Sequence, residues 1–256
     1  MDATPLLFTT LAGLSTTLGG VIAVLFKPTP RLLAVCGGFA GGVMLTVSLA
    51  DLAPGAVRFY GQYLSPIGCG LAVTAMLGAG ICVALLLGRL LPEEEALAKR
   101  FGPGAKAAAM RAALVTGVAL LLHNLPEGVL TLFAGVADPH LGLRTTLAIA
   151  LHNIPEGLAV AVPFAYATGS KAKAVLAAFV SGLAEPVGAL LAYFFLHRVF
   201  TPGFLNGTVV LVAGIMLWVA ADQLLPQAFA ARHRAAGSAG LAAGCLIMLL
   251  GIAALA

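Results

Sequence analysis

Two short segments carry the same chemistry twice. Leu122–Gly128 reads LHNLPEG and Leu151–Gly157 reads LHNIPEG, identical at six of seven positions. Each sets a histidine four residues before a glutamate, His123 with Glu127 and His152 with Glu156. At that spacing both side chains share one face of a helix. Asn124 and Asn153 stand three residues before the glutamates and join the same face. A third carboxylate, Glu185, follows within SGLAEP. Imidazole nitrogen with carboxylate and amide oxygen suits Zn²⁺, Fe²⁺ and Mn²⁺, and the absence of a neighbouring thiolate argues against Cu(I).

These carboxylates stand in strongly apolar surroundings. Of ten acids in the chain, Asp51, Glu127, Glu156, Glu185 and Asp222 fall in hydrophobic runs. An acid at the centre of a bilayer costs roughly 2.5–3.5 kcal/mol, so the three central glutamates together cost on the order of 8–10 kcal/mol. No Lys or Arg lies deep in their runs to pair with them. A divalent cation is the natural counter-charge. Each of the three glutamates also has a proline beside it. Pro126, Pro155 and Pro186 cannot donate to the carbonyls of Leu122, Leu151 and Gly182. Backbone groups freed at membrane depth are tolerated where they line a cavity or are buried in protein, so kinked helices around a wet or metal-filled site are expected.

The surrounding elements are membrane spans. Of 256 residues 61% are hydrophobic and 9% charged, against about 25% charged in soluble domains, and the mean hydropathy is +1.04. A soluble enzyme, a disordered chain and a nucleic-acid binder are excluded. The +4 net charge is spread over short loops and makes no basic face. The four cysteines (Cys36, Cys69, Cys82 and Cys245) read as small hydrophobes in apolar runs. A spanning helix needs about 20 apolar residues. Eight runs qualify: 6–26, 32–54, 66–90, 112–135, 143–167, 174–197, 204–225 and 237–256. They leave only short loops, so residues 1–256 are expected to form one polytopic transmembrane domain. The first run has no preceding Lys or Arg and is too long for a signal peptide, so it is taken as a span.

Loops after the odd-numbered runs carry eleven Lys and Arg; those after the even-numbered runs carry Arg58, Arg144 and Arg198. The positive-inside rule then puts the odd loops in the cytoplasm and both termini outside. The longest loop, 91–111, contains Glu93, Glu94 and Glu95, read as the solvated start of a helix. A second repeat pairs Gly42–Pro54 (GVMLTVSLADLAP) with Gly214–Pro226 (GIMLWVAADQLLP), identical at six of thirteen positions. Both repeated pairs sit on oppositely directed runs. The expected fold is therefore an all-α integral membrane protein of eight helices with an inverted repeat, runs 1–3 against 6–8, and the fourth and fifth as the central metal-binding pair. Such folds hold their substrate near the midplane, between interrupted helices.

The doubled HNLPEG and HNIPEG motif, SGLAEP in the next run, the ATGSK loop at 167–171 and AGIM at 213–216 closely resemble the ZIP (Zrt/Irt-like protein) metal transporters, in their bacterial branch. The resemblance covers nearly the whole chain. It implies a two-metal centre. One site would use His123, Glu127, His152 and Glu156; a second, associated with Fe²⁺ in the bacterial branch, would use Asn124, Glu127, Asn153, Glu156 and Glu185. Glu127 and Glu156 would bridge the two. Members often carry Glu where this chain has Asp51, and related bacterial members carry Asp-Glu where this chain has Asp222-Gln223. Both acids are expected on the transport pathway.

The reading is ATP-independent uptake of divalent transition metals across a bacterial inner membrane. Zn²⁺ is the chief substrate, with Fe²⁺, Mn²⁺, Co²⁺ and Cd²⁺ also accepted, and no catalytic cofactor is expected. No GxxxxGK[ST] loop is present to bind ATP. The alternatives are an intramembrane di-metal enzyme and a gated metal channel. The enzyme reading finds no HExxH and no Ser or Cys nucleophile within a turn of the motif. Expected partners are metal ions and the lipid bilayer, with no nucleic acid. Gly240 and Gly244 form a small-xxx-small pair that serves either packing within the chain or a homodimer contact.

Overall fold

The computed structural model describes residues 3–196, 201–230 and 232–255. His197 and Arg198 lie outside the described residues. All eight apolar runs form helices long enough to cross a membrane: α1 (Thr4–Leu25), α2 (Pro30–Tyr60), α3 (Pro66–Leu90), α5 (Ala105–Ala137), α6 (Pro139–Thr168), α7 (Lys171–Phe194), α8 (Pro202–Ala228) and α9 (Arg234–Leu255). A short helix, α4 (Glu94–Phe101), lies in the connection between α3 and α5. No strand occurs among the described residues.

The starts of these helices are written in the sequence. Proline occupies the first turn of α2, α3, α6 and α8, where its missing N–H costs nothing. The residue before each proline caps the helix: Thr29, Ser65, Asp138 and Thr201 accept from the amides of Leu32, Gly68, Leu141 and Phe204. Asp138 also accepts from the His140 amide at 2.6 Å. These amide hydrogen bonds hold the Asp138 carboxyl below its usual range.

Several helices outrun their apolar stretches. α5 has 33 residues, about 50 Å of rise, against a hydrocarbon layer about 30 Å thick. Hydropathy marks where lipid ends, whereas caps and turns mark where helical hydrogen bonding ends. As a result Arg58, Lys106, Arg111 and Arg144 ride on helix ends rather than in loops. The connection 91–111 is likewise mostly helical. Glu94 and Glu95 fill the first turn of α4 and Lys99 and Arg100 the last, matching the helix dipole. Leu97 anchors α4 on Ala107 and Met110 of α5 and Ala167 of α6.

A π-helical turn interrupts α2 at Val47–Leu52 and α8 at Ala220–Leu224. These stretches overlap in the second sequence repeat, and they contain Asp51 and Asp222 respectively. Single π-turns concentrate at functional sites. Gly240 and Gly244 lie against the backbone of α2 at Val35 and Phe39, so that pair serves packing within the chain.

Candidate metal centre

α5 and α6 are joined by a tight break at Asp138 and pack antiparallel, with Gly142 against Gly135 near the turn. Their two motifs therefore meet. His123 and Glu127 share a face, as do His152 and Glu156, and the two faces are turned toward each other. The pairing is crossed. His123 Nε2 lies 3.0 Å from Glu156 Oε1, and His152 Nε2 lies 3.3 Å from Glu127 Oε1. Each histidine thus bonds the carboxylate of the other helix rather than its own neighbour four residues on.

The asparagines extend the arrangement to the flanking helices. Asn124 Nδ2 donates to the Ser181 carbonyl of α7 at 3.2 Å. Asn153 Nδ2 donates to the Ala12 carbonyl of α1 at 3.0 Å, and also to Glu185 Oε1. Both amides use their nitrogen on a neighbouring backbone, which leaves their oxygen for the interior. The motif glycines permit the approach. Gly128 packs on the Glu185 carbonyl and Gly157 on the Thr16 carbonyl, each too close for a Cβ. The break in α7 at Leu183 lies just before Pro186 and brings Glu185 in beside Asn153.

All seven residues are buried, none more than 6% exposed. Within this group Asn124 Oδ1, Glu127 Oε2, Asn153 Oδ1, Glu156 Oε2 and Glu185 Oε2 accept no hydrogen bond, and His152 Nδ1 makes none. A buried acceptor left without a partner costs about 1–3 kcal/mol. Five oxygens in that condition, from five of the seven clustered residues, form a donor set for a hard or borderline cation. Among the described residues no three His, Cys, Asp or Glu side chains are arranged to close on one ion. Here each imidazole closes on a carboxylate, and a cation would exchange these two contacts for coordination.

Asp51 and Asp222, the two acids expected on the pathway, have different surroundings. Asp51 is half-buried in a pocket of about 430 Å³ that also takes in Arg58, Ala148 and Leu151. Leu151 precedes His152 in the chain, and none of the seven buried side chains lines this pocket. Hydropathy places Arg58 in the loop after the second run, whereas it rides on α2 and lines this pocket. Its signal was present in the spacing: seven residues after Asp51 is two helical turns on the same face. Asp222 is exposed and accepts from Gln223 Nε2 at 2.6 Å; no hydrogen bond joins it to the seven. Between the cluster and the α4 side stands an apolar plug. Leu120 of α5, Val160 of α6, Met44 and Val47 of α2, and Met216 and Val219 of α8 pack there, each almost fully buried. Of the three prolines Pro155 is buried, whereas Pro126 and Pro186 are half-buried and line apolar pockets, of about 270 Å³ beside Pro126.

An all-helical chain with eight membrane-length helices and ionisable side chains buried among them is a multi-pass membrane protein with a buried polar site. The profile of the ZIP zinc transporter family matches residues 93–253, which include α5, α6 and α7. The chain is 42% identical to the zinc transporter ZupT of Akkermansia muciniphila, covering 95% of this chain and 94% of that protein. It is 40% identical to the zinc transporter ZupT of Corynebacterium efficiens, covering 95% and 94%, and 37% identical to that of Streptococcus mutans, covering 97% and 96%. The chain belongs to the ZIP family.

Proposed function

We propose that this protein is an ATP-independent carrier that takes Zn²⁺ across the cytoplasmic membrane of a bacterium, and that residues 1–256 act as one transport domain. The observation that carries the reading is the cluster of five unpartnered buried oxygens beside two imidazoles, with no Lys or Arg in the cluster. The names of the relatives agree with it. The metal is held by His123, Asn124, Glu127, His152, Asn153, Glu156 and Glu185. Nitrogen and oxygen ligands exchange fast enough for transport, where four thiolates would trap the ion. Fe²⁺, Mn²⁺, Co²⁺ and Cd²⁺ fit the same donor set with lower preference.

The path begins at the Asp51 vestibule. The ion sheds water there, displaces the crossed His–Glu contacts and is held between α5 and α6. Onward movement requires the plug at Leu120, Val160, Met44 and Met216 to part, with release past Asp222. The positive-inside rule puts the vestibule and both termini outside and α4 in the cytoplasm. The plug favours a carrier over a continuously open pore. The matching π-turns of α2 and α8, and the like roles of Asn124 with α7 and Asn153 with α1, favour an inverted repeat that exchanges α5 with α6. A homodimer would use a surface other than Gly240 and Gly244.

The deciding experiment is radioactive zinc influx into sealed proteoliposomes without ATP. Saturable influx is expected; vesicles as tight as protein-free ones would refute the reading. Two substitutions probe the vestibule. Arg58→Gln removes a positive charge from the approach of a cation and is expected to lower KM for zinc a few-fold, with the effect fading at high salt. Asp51→Asn is expected to raise KM several-fold while leaving the maximal rate within about twofold. Initial rates over a zinc series at two ionic strengths check both, and unchanged KM values would remove these residues from the path.

A further inference from the structure

Away from the metal centre, the α4 side of the bundle carries a groove with a charged mouth and an apolar floor. A pocket of about 520 Å³ lies under α4, with Arg100 and Lys173 on its rim and Leu97, Phe101 and Met110 among its apolar walls. It continues into a second pocket of about 430 Å³ between α5 and α7, with which it shares Leu114, Phe164 and Lys173. From Lys173 to Ser181 this second stretch follows α7 for eight residues, about 12 Å of helix rise. Its walls there are apolar, Val118, Leu121, Leu176 and Val180 among them, and Ser181 closes the far end.

The mouth is positive and unneutralised. Neither Arg100 nor Lys173 forms an ion pair among the described residues, and both are exposed. Arg100 stacks over the ring of Phe101 at 5.5 Å, which holds its guanidinium at the groove. Glu93, Glu94 and Glu95 stand at the opposite end of α4, about 7–10 Å of helix rise away from Arg100. Arg111, the other cation nearby, is committed to the connection before α4: it donates to the Pro92 carbonyl at 2.9 Å and the Gly88 carbonyl at 3.2 Å. Basic pockets between membrane helices recognise anionic lipid headgroups. A long apolar trough leading away from such a mouth fits the chain attached to one.

We propose that this groove is a binding site for one anionic glycerophospholipid, its phosphate between Arg100 and Lys173 and one acyl chain laid between α5 and α7 as far as Ser181. Charge complementarity selects the headgroup, and the length of apolar wall selects a lipid over a free phosphate. The far end abuts the centre's own scaffold, since the Ser181 carbonyl holds Asn124. The bound chain thus braces the α5–α7 contact that orients one of the inward-facing amide oxygens. The site is independent of the zinc reading.

Native mass spectrometry of the full chain in mild detergent, titrated with phosphatidylglycerol or with phosphatidylcholine, tests this. The wild type is expected to take up one phosphatidylglycerol with at least a tenfold preference over phosphatidylcholine. Arg100→Gln/Lys173→Gln should cut that preference to within twofold. Lys99→Gln/Lys106→Gln, which removes two nearby charges that do not line the groove, should keep it. Gly117→Leu leaves both cations and fills the trough, since a side chain there meets Val160 at ordinary contact distance; it should also remove the adduct. Equal uptake of the two lipids by the wild type would overturn the proposal, as would a phosphatidylglycerol adduct that survives both the charge and the filling variants. Folding of each variant is read by thermal unfolding in the same detergent.

Discussion

Glu127→Ala and Glu156→Ala each bring zinc influx into sealed vesicles down to that of protein-free vesicles, while the chain still inserts and purifies as a folded protein. Each glutamate contributes an oxygen to a crossed contact with a histidine of the other helix, at 3.3 Å for Glu127 and 3.0 Å for Glu156. Each also holds a second oxygen that accepts nothing. Removing either carboxylate takes away two of the cluster's ligand atoms and one of its three negative charges, which leaves a dication in a low-dielectric interior short of compensation. Insertion should survive, because a buried acid opposes membrane insertion and its loss relieves that cost. The two variants should behave alike, since the motifs occupy equivalent places. Wild-type influx in both would refute the centre, and so would loss in one with full activity in the other.

The second large effect is steric. Gly128→Ala and Gly157→Ala place a methyl group against the carbonyls of Glu185 and Thr16, which belong to the backbone of α7 and α1. A backbone carbonyl cannot turn aside as a flexible side chain can, so the helices must part. Overpacking of this kind costs about 1–3 kcal/mol, offset by the roughly 0.5–1 kcal/mol that alanine gains over glycine within a helix. The parting would also carry Glu185 or the Asn153 contact to α1 away from the centre. Reduced thermal stability and at least tenfold slower zinc influx are expected from each. Gly70→Ala is the control: nothing lies within 4 Å of the added methyl group, so that variant should be at least as stable as the wild type. Equal behaviour of all three would show that the close approaches carry no weight.

Much of this was legible because burying charge in an apolar run is costly enough to need a reason. Glu127, Glu156 and Glu185 could be singled out from ten acids on that ground, and the i, i+4 spacing placed their histidines beside two of them. The eight spans were legible for the same reason, read from the apolar side. What local spacing could not supply was the relation between helices. The crossed pairing of His123 with Glu156 depends on the antiparallel register of α5 and α6. The donation from Asn153 to Ala12 spans 141 residues of sequence. The π-turns at Val47–Leu52 and Ala220–Leu224 replace one helical hydrogen-bond pattern with another, and composition does not register that change. Arg58 was hidden because hydropathy set the end of the second run at 54, whereas the helix continues to Tyr60 and carries the charge into the vestibule.

The central claim is that the buried carboxylates hold a dication between α5 and α6. Anomalous diffraction from crystals soaked in zinc, recorded on both sides of the zinc absorption edge, addresses it without relying on flux. The account predicts a peak within coordination distance of His123, Glu127, His152 and Glu156, absent in Glu127→Ala crystals. Zinc bound elsewhere in the crystal, with no peak where the two motifs face each other, would contradict it.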